Sequence, residues 1–145
     1  MNYCDFARDL LRNKRQLEAS YENISFQLET LEIEKFSASG NSACCAPKKG
    51  GGSTYEDKLV SLIMLTDRYR EKLKNLSKSL AAIELGLSVM DDYEKDLLNA
   101  FYVYGLKDAA DSLSAKYYKE RAQVYRDRME ALKKFTRAVF GVVET

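Results

Sequence analysis

The sequence predicts an all-α protein, a long antiparallel helical hairpin followed by a small three-helix unit. Three observations predict it. Apolar residues recur at alternating spacings of three and four along two long stretches, which is the pattern of a helical seam. One proline and seven glycines in 145 residues leave few breaks in those stretches. A segment of small and polar residues joins them, as a hairpin requires. An apolar content of 46% with 31% charged residues suits a folded chain and excludes wholesale disorder.

The first helix is expected from about Asn2 to Phe36. Tyr3, Ala7, Leu10, Leu17, Tyr21, Ile24, Leu28 and Leu31 form its seam, with Lys14 the one residue out of character. Residues 37–53, SASGNSACCAPKKGGGS, hold the only proline and four of the glycines, and read as a flexible linker. Lys48, Lys49 and the glycines beside them do not make a phosphate loop, because their order is wrong and no strand precedes them. The second helix is expected to start with Thr54 as N-cap and Glu56 and Asp57 in its first turn. Its seam is Leu59, Leu62, Thr66, Tyr69, Leu73, Leu76, Leu80, Ile83 and Leu87. Ile63, Met64 and Leu65 widen it, which suggests a third helix or a second subunit against the hairpin.

Gly86 and the pair Asp91-Asp92 are expected to end that helix, with Asp91 and Glu94 forming a capping box for the next. A short helix carries Leu97, Leu98, Phe101 and Tyr102, and Gly105 caps its end. A compact segment, 106–113, is expected to carry Ala109, Ala110 and Leu113 on one side. The last helix is expected from about Ala115 to Phe140, capped by Ser112 or Ser114. The division that follows is a hairpin over residues 1–90, including the loop 37–53, and a C-terminal unit over 91–145.

Several functions are excluded or disfavoured by composition. The chain has no histidine, so no Ser-His or Cys-His nucleophile can be assembled within it, and the commonest metal ligand is missing. Cys4, Cys44 and Cys45 fit neither a zinc spacing nor a disulfide framework and read as reduced thiols. The acidic cluster Asp91, Asp92 and Glu94 is explained by capping. The expectation is a non-enzyme with no cofactor and no metal. No apolar run approaches the roughly 20 residues of a membrane span, and no signal peptide is legible, which predicts a cytoplasmic protein without a membrane partner.

The last helix carries the most functional information. Tyr118, Ala122, Val124, Tyr125, Met129, Ala131, Leu132 and Phe135 are expected on one broad side. Lys116, Lys119, Gln123, Arg126, Lys133 and Arg137 fall on another, interrupted only by Glu130. Arg121 and Arg128 sit near the apolar side. From Gly105 onward nine Lys and Arg stand against six Asp and Glu, 9 − 6 = +3. The first helix through Phe36 has five against seven, 5 − 7 = −2. Cations therefore gather toward the C-terminal end, as in proteins that bind the phosphate backbone, although a solvated helix face also carries such a stripe. Tyr117 and Tyr118 are candidates to stack on bases, though tyrosines at such spacings more often pack in a core.

The segment 93–135 resembles region 4 of bacterial sigma factors, and resembles more closely the small phage transcriptional regulators that share that module. Lys107-Asp108-Ala109-Ala110-Asp111-Ser112-Leu113 matches the scaffold helix. Ala122-Gln123-Val124-Tyr125-Arg126 matches the recognition helix, and Ala131-Leu132-Lys133-Lys134-Phe135 the basic tail. The N-terminal coiled coil, the Gly/Ser loop and the opening Glu56-Asp57-Lys58-Leu59-Val60 are also similar to that phage family. The spacing departs from the family: Leu113 to Val124 is 124 − 113 = 11 residues, about four too many. Either the recognition helix gains a turn at its start or the scaffold helix begins later.

The resemblance implies a helix-turn-helix-like unit that binds double-stranded DNA and regulates transcription, with residues about 115–140 as the reading helix. It implies Lys119, Arg121, Gln123 and Arg126 as the foremost contacts, Lys116 beside them, and Lys133 and Lys134 on phosphates. The hairpin would position the unit through a homodimer or through RNA polymerase. The alternative is a helical protein–protein interaction module, a coiled-coil adaptor or inhibitor that does not bind DNA.

Overall fold

The computed structural model describes residues 2–44 and 52–144. It is all-α: α1 spans Tyr3–Cys44, α2 Gly52–Ser88, α3 Asp92–Leu98, α4 Ala109–Tyr117 and α5 Arg121–Phe140. A π-helical turn, Asn99–Val103, continues α3. The one β-type pairing among the described residues is an isolated bridge between Asn2 and Glu144, beside which the Tyr3 amide donates to the Val143 carbonyl at 2.9 Å.

The seams expected of the two long helices are the faces they bury. In α1, Ala7 and Leu31 are buried, and Tyr3, Leu10, Leu17, Tyr21, Ile24 and Leu28 are half-buried. Lys14 lies in the same row, its stem covered and its Nζ 3.9 Å from Glu18. In α2, Thr66 and Ile83 are buried and the other seam residues half-buried. Thr66 fits an apolar row because its Oγ1 donates to the Leu62 carbonyl one turn back, at 2.7 Å.

Packing divides the chain into two compact units. One is Ala19–Ser77, the middle of the hairpin; the other joins Met1–Glu18 to Lys78–Thr145. The first unit buries Leu31 and Thr66 and carries a Glu32–Arg70 ion pair between its helices. Ile63 and Met64 are exposed there, and no third helix of that unit covers them. The second unit holds the main core. Cys4, Ala7 and Leu11 of α1 meet Ile83 of α2, Leu97 and Leu98 of α3, Tyr102 and Val103 of the π turn, Leu113 of α4, and Val124, Leu132 and Phe135 of α5.

Several boundaries differ from those expected. Residues 37–44 continue α1 and residues 52 and 53 already belong to α2, so the helices take most of the expected linker from both ends. Residues 45–51 lie outside the described residues. Thr54 is therefore inside α2 and is not its cap. Gly86 does not break α2. It is a buried interior position at which the helix meets α5, and a Cβ built on it would lie 2.5 Å from Phe135 Cε2 and 2.7 Å from Val139 Cγ2. The helix ends two residues later, and Asp91 starts α3 with the expected capping box. Its carboxylate accepts from the Glu94 amide at 2.8 Å, and Glu94 accepts from the Asp91 amide at 3.3 Å. Gly105 closes the π turn in the left-handed region, φ +58°, where the Leu106 amide returns to the Ala100 carbonyl at 2.9 Å.

Candidate nucleic-acid interface

The C-terminal end of the chain is helix, tight turn, helix. α4 buries Ala109, Ala110 and Leu113, three residues spaced to lie on one face. It stops after Tyr117 because Tyr118 adopts the left-handed region, φ 56° and ψ 43°, and turns the chain out of the helix. The Lys119 amide then donates to the Ser114 carbonyl at 3.2 Å, and Ser114 Oγ donates to the Lys119 carbonyl. Glu120 is extended, and α5 begins at Arg121. The turn is thus residues 118–120. The last helix does not start near Ala115, and neither Ser112 nor Ser114 caps it. Leu113 and Val124 are separated by the end of α4, the turn and the start of α5.

α5 buries Val124, Ala131, Leu132, Phe135 and Thr136. The broad apolar side expected for this helix is therefore only partly a core face. Tyr118 is 96% exposed, Ala122 is exposed, and Tyr125 and Met129 stand at the surface. The physical reason is the break at Tyr118. It sets the phase of α5 by Val124 and Phe135, and the row of 122, 125 and 129 points away from the core.

Most of the expected basic contacts are held by carboxylates. Lys116 lies on the last turn of α4, not on α5, and its Nζ is 2.8 Å from Asp96 of α3. Lys119 lies in the turn. Its Nζ stands 4.1 Å from the centroid of the Tyr93 ring and 3.4 Å from Asp127. Arg121, 63% exposed, pairs loosely with Asp111 of α4 at 3.6 Å. Lys133 pairs with Glu130 at 3.7 Å and Lys134 with Glu94 at 3.0 Å. Gln123 donates to Asp127 at 2.7 Å and accepts from Arg126 at 2.9 Å. Arg126 is exposed, and among the described residues it has no carboxylate within ion-pair distance. Arg128 lies against aromatic rings. Its guanidinium carbon sits over Phe101, Tyr125 and Tyr102 at 5.0, 5.3 and 6.0 Å, and its Nε is buried without a partner.

Four side chains missed by sequence reasoning set this geometry: Tyr93, Asp96, Asp111 and Asp127. Asp127 gathers the Tyr93 hydroxyl at 2.8 Å, Gln123 and Lys119, which ties α3, the turn and α5 together. Its spacing of four from Gln123 was the one legible signal. Asp96 accepts from Lys116 and from the Tyr117 hydroxyl, while the Tyr117 and Tyr93 rings lie 4.7 Å apart. Nothing in the sequence announces a pair twenty residues apart.

The two carboxylates tie stability to pH. Lys116 and the Tyr117 hydroxyl hold the Asp96 carboxyl below its usual range. Burial pushes the Asp127 carboxyl up, but the Tyr93 and Gln123 hydrogen bonds and the Lys119 charge together outweigh it, and its value is also lowered. Both groups bind protons less readily folded than unfolded. Their contribution is complete above the unfolded carboxylate value of about 3.9 and is lost as pH falls through the lower folded values. The melting temperature should therefore stay level down to about pH 5 and then fall. An Asp96→Asn/Asp127→Asn variant should melt lower at neutral pH and show a shallower acid fall. Equal acid slopes for the two proteins would show that these carboxylates do not govern it.

No family model, curated protein or solved structure matches the chain significantly.

Proposed function

We propose that the chain binds duplex DNA through α4, the turn and α5 and acts as a transcriptional regulator of phage type. One observation carries this reading. Val124 is buried in the core cluster that also holds Leu113 of α4, while the first two turns of α5 keep Arg121, Ala122, Tyr125 and Arg126 at the surface. A helix held from behind, with exposed and cationic N-terminal residues, is what insertion into a major groove requires. Arg121 and Arg126 are the foremost contacts, and Gln123 stands between them, already bonded to Arg126. Lys116, Lys119, Lys133 and Lys134, and Arg121 from its looser pair, would have to exchange a carboxylate for a phosphate, so they contribute less than their charge suggests.

A second reading, a helical protein–protein interaction module, is favoured by a specific observation: five of the candidate cations already have a carboxylate partner. Titration of a labelled mixed-sequence duplex separates the two. Native protein is expected to bind at about 50 mM salt and to weaken steeply as salt rises. Arg121→Ala/Arg126→Ala should weaken binding more than tenfold and flatten the salt dependence by about one unit for each phosphate no longer neutralised, with unchanged circular dichroism. No binding by native protein at about 50 mM salt would reject the DNA reading in favour of the module.

A further inference from the structure

The turn before α5 contains a residue that its own fold does not use. Tyr118 occupies the left-handed backbone region, which residues with a Cβ enter at a cost and glycine enters freely. Its side chain is 96% exposed, and among the described residues it makes no hydrogen bond and no ring contact. An aromatic side chain there therefore opposes folding at the backbone and returns nothing through packing. Its neighbours behave differently: Tyr117 is bonded to Asp96, and Lys119 is folded back over Tyr93. Tyr118 is thus the one aromatic side chain of the turn, and it stands out into solvent. The surrounding segment, residues 116–126, carries four cations and one carboxylate; Lys116, Lys119 and Arg121 have carboxylate partners, and exposed Arg126 next to the turn is the cation that most readily meets a polyanion.

We infer that Tyr118 is a DNA backbone contact, its hydroxyl donating to a phosphate oxygen at the edge of the groove that α5 enters. The inference rests on the DNA-binding reading above and adds a contact that the basic stripe does not suggest. The turn immediately precedes the N-terminus of α5, so seating that end among the base edges brings the turn to the sugar–phosphate wall, where tyrosine hydroxyls are common donors.

The contact has its own signature. A phenol is neutral, so its removal releases no counterion. Tyr118→Phe should weaken binding to a labelled mixed-sequence duplex about fivefold at every salt concentration, leaving the slope of log affinity against log salt unchanged. Tyr118→Gly should weaken it at least as much while its melting temperature is unchanged or raised, because the left-handed backbone is relieved and no packing is removed. Tyr118→Phe with native affinity would overturn the contact while leaving the DNA-binding reading intact. A changed salt slope in that variant would also overturn it. Failure of the native chain to bind any duplex would overturn both, a result distinguishable from the first.

Discussion

Gly86→Ala should destabilise the protein, although helix propensity alone says the opposite. In an exposed helix interior the exchange gains about 1 kcal/mol. Gly86 is not exposed: a Cβ there would stand 2.5 and 2.6 Å from two ring carbons of Phe135 and 2.7 Å from a Val139 methyl. Phe135 is fully buried and lies in the main core, so its ring cannot swing aside as a surface side chain would. Relieving the overlap means moving α5 from α2 or forcing the ring off its rotamer, at a cost of about 1–3 kcal/mol. Gly86→Leu adds three further carbons to the same overlap and should cost about 4 kcal/mol or more, among the larger single-residue effects. Thermal melting followed by circular dichroism reads both. An alanine variant that melts higher than the native chain would mean that α2 and α5 are not in close approach at this point.

Val124→Asp should cost a comparable amount for a different reason. Val124 is fully buried within the apolar core cluster, and Arg128, one turn further along α5, is committed to the Phe101, Tyr102 and Tyr125 rings. An unpaired buried charge costs several kcal/mol, unless the group is neutralised by protonation or the local structure opens. The expected result is a weakened core around α5, seen as a lower melting temperature whose deficit relative to the native protein narrows below about pH 5, where the new carboxyl is protonated. Val124→Ala, which leaves a cavity without a charge, should cost about 1–2 kcal/mol and show no such narrowing. Val124→Asp melting like the native protein would remove the anchor on which the exposed N-terminal half of α5 depends.

Much of the fold was legible because helices advertise their buried faces at short range. The three-and-four spacing of Tyr3 to Leu31 and of Leu59 to Leu87 named residues that the structure buries or half-buries, though it passed over the buried Cys4 and Leu11, and Asp91 with Glu94 named the start of α3. These signals are local, since spacing and caps act within one or two turns. The end of α4 was not legible. Tyr118 has no sequence feature that marks a left-handed turn, so the helical pattern ran through it and the phase of α5 came out wrong. Gly86 failed in the same way: glycine signals either a break or a close approach, and only the neighbour across the interface tells which.

The candidate interface divides along the same line. Sequence alone determined that the chain is helical, that its second half ends in a cation-bearing helix, and that no histidine-dependent chemistry is available to it. Tertiary structure decided which of those cations stand free. Asp96, Asp111 and Glu94 reach Lys116, Arg121 and Lys134 from other helices, while Asp127 draws Lys119 back onto α5, and Arg126 is left exposed without a carboxylate. Side-chain charge is a property of each residue, written in its identity. Neutralisation depends on a separation of a few ångströms between residues that are distant along the chain, and that separation exists only once the helices have packed.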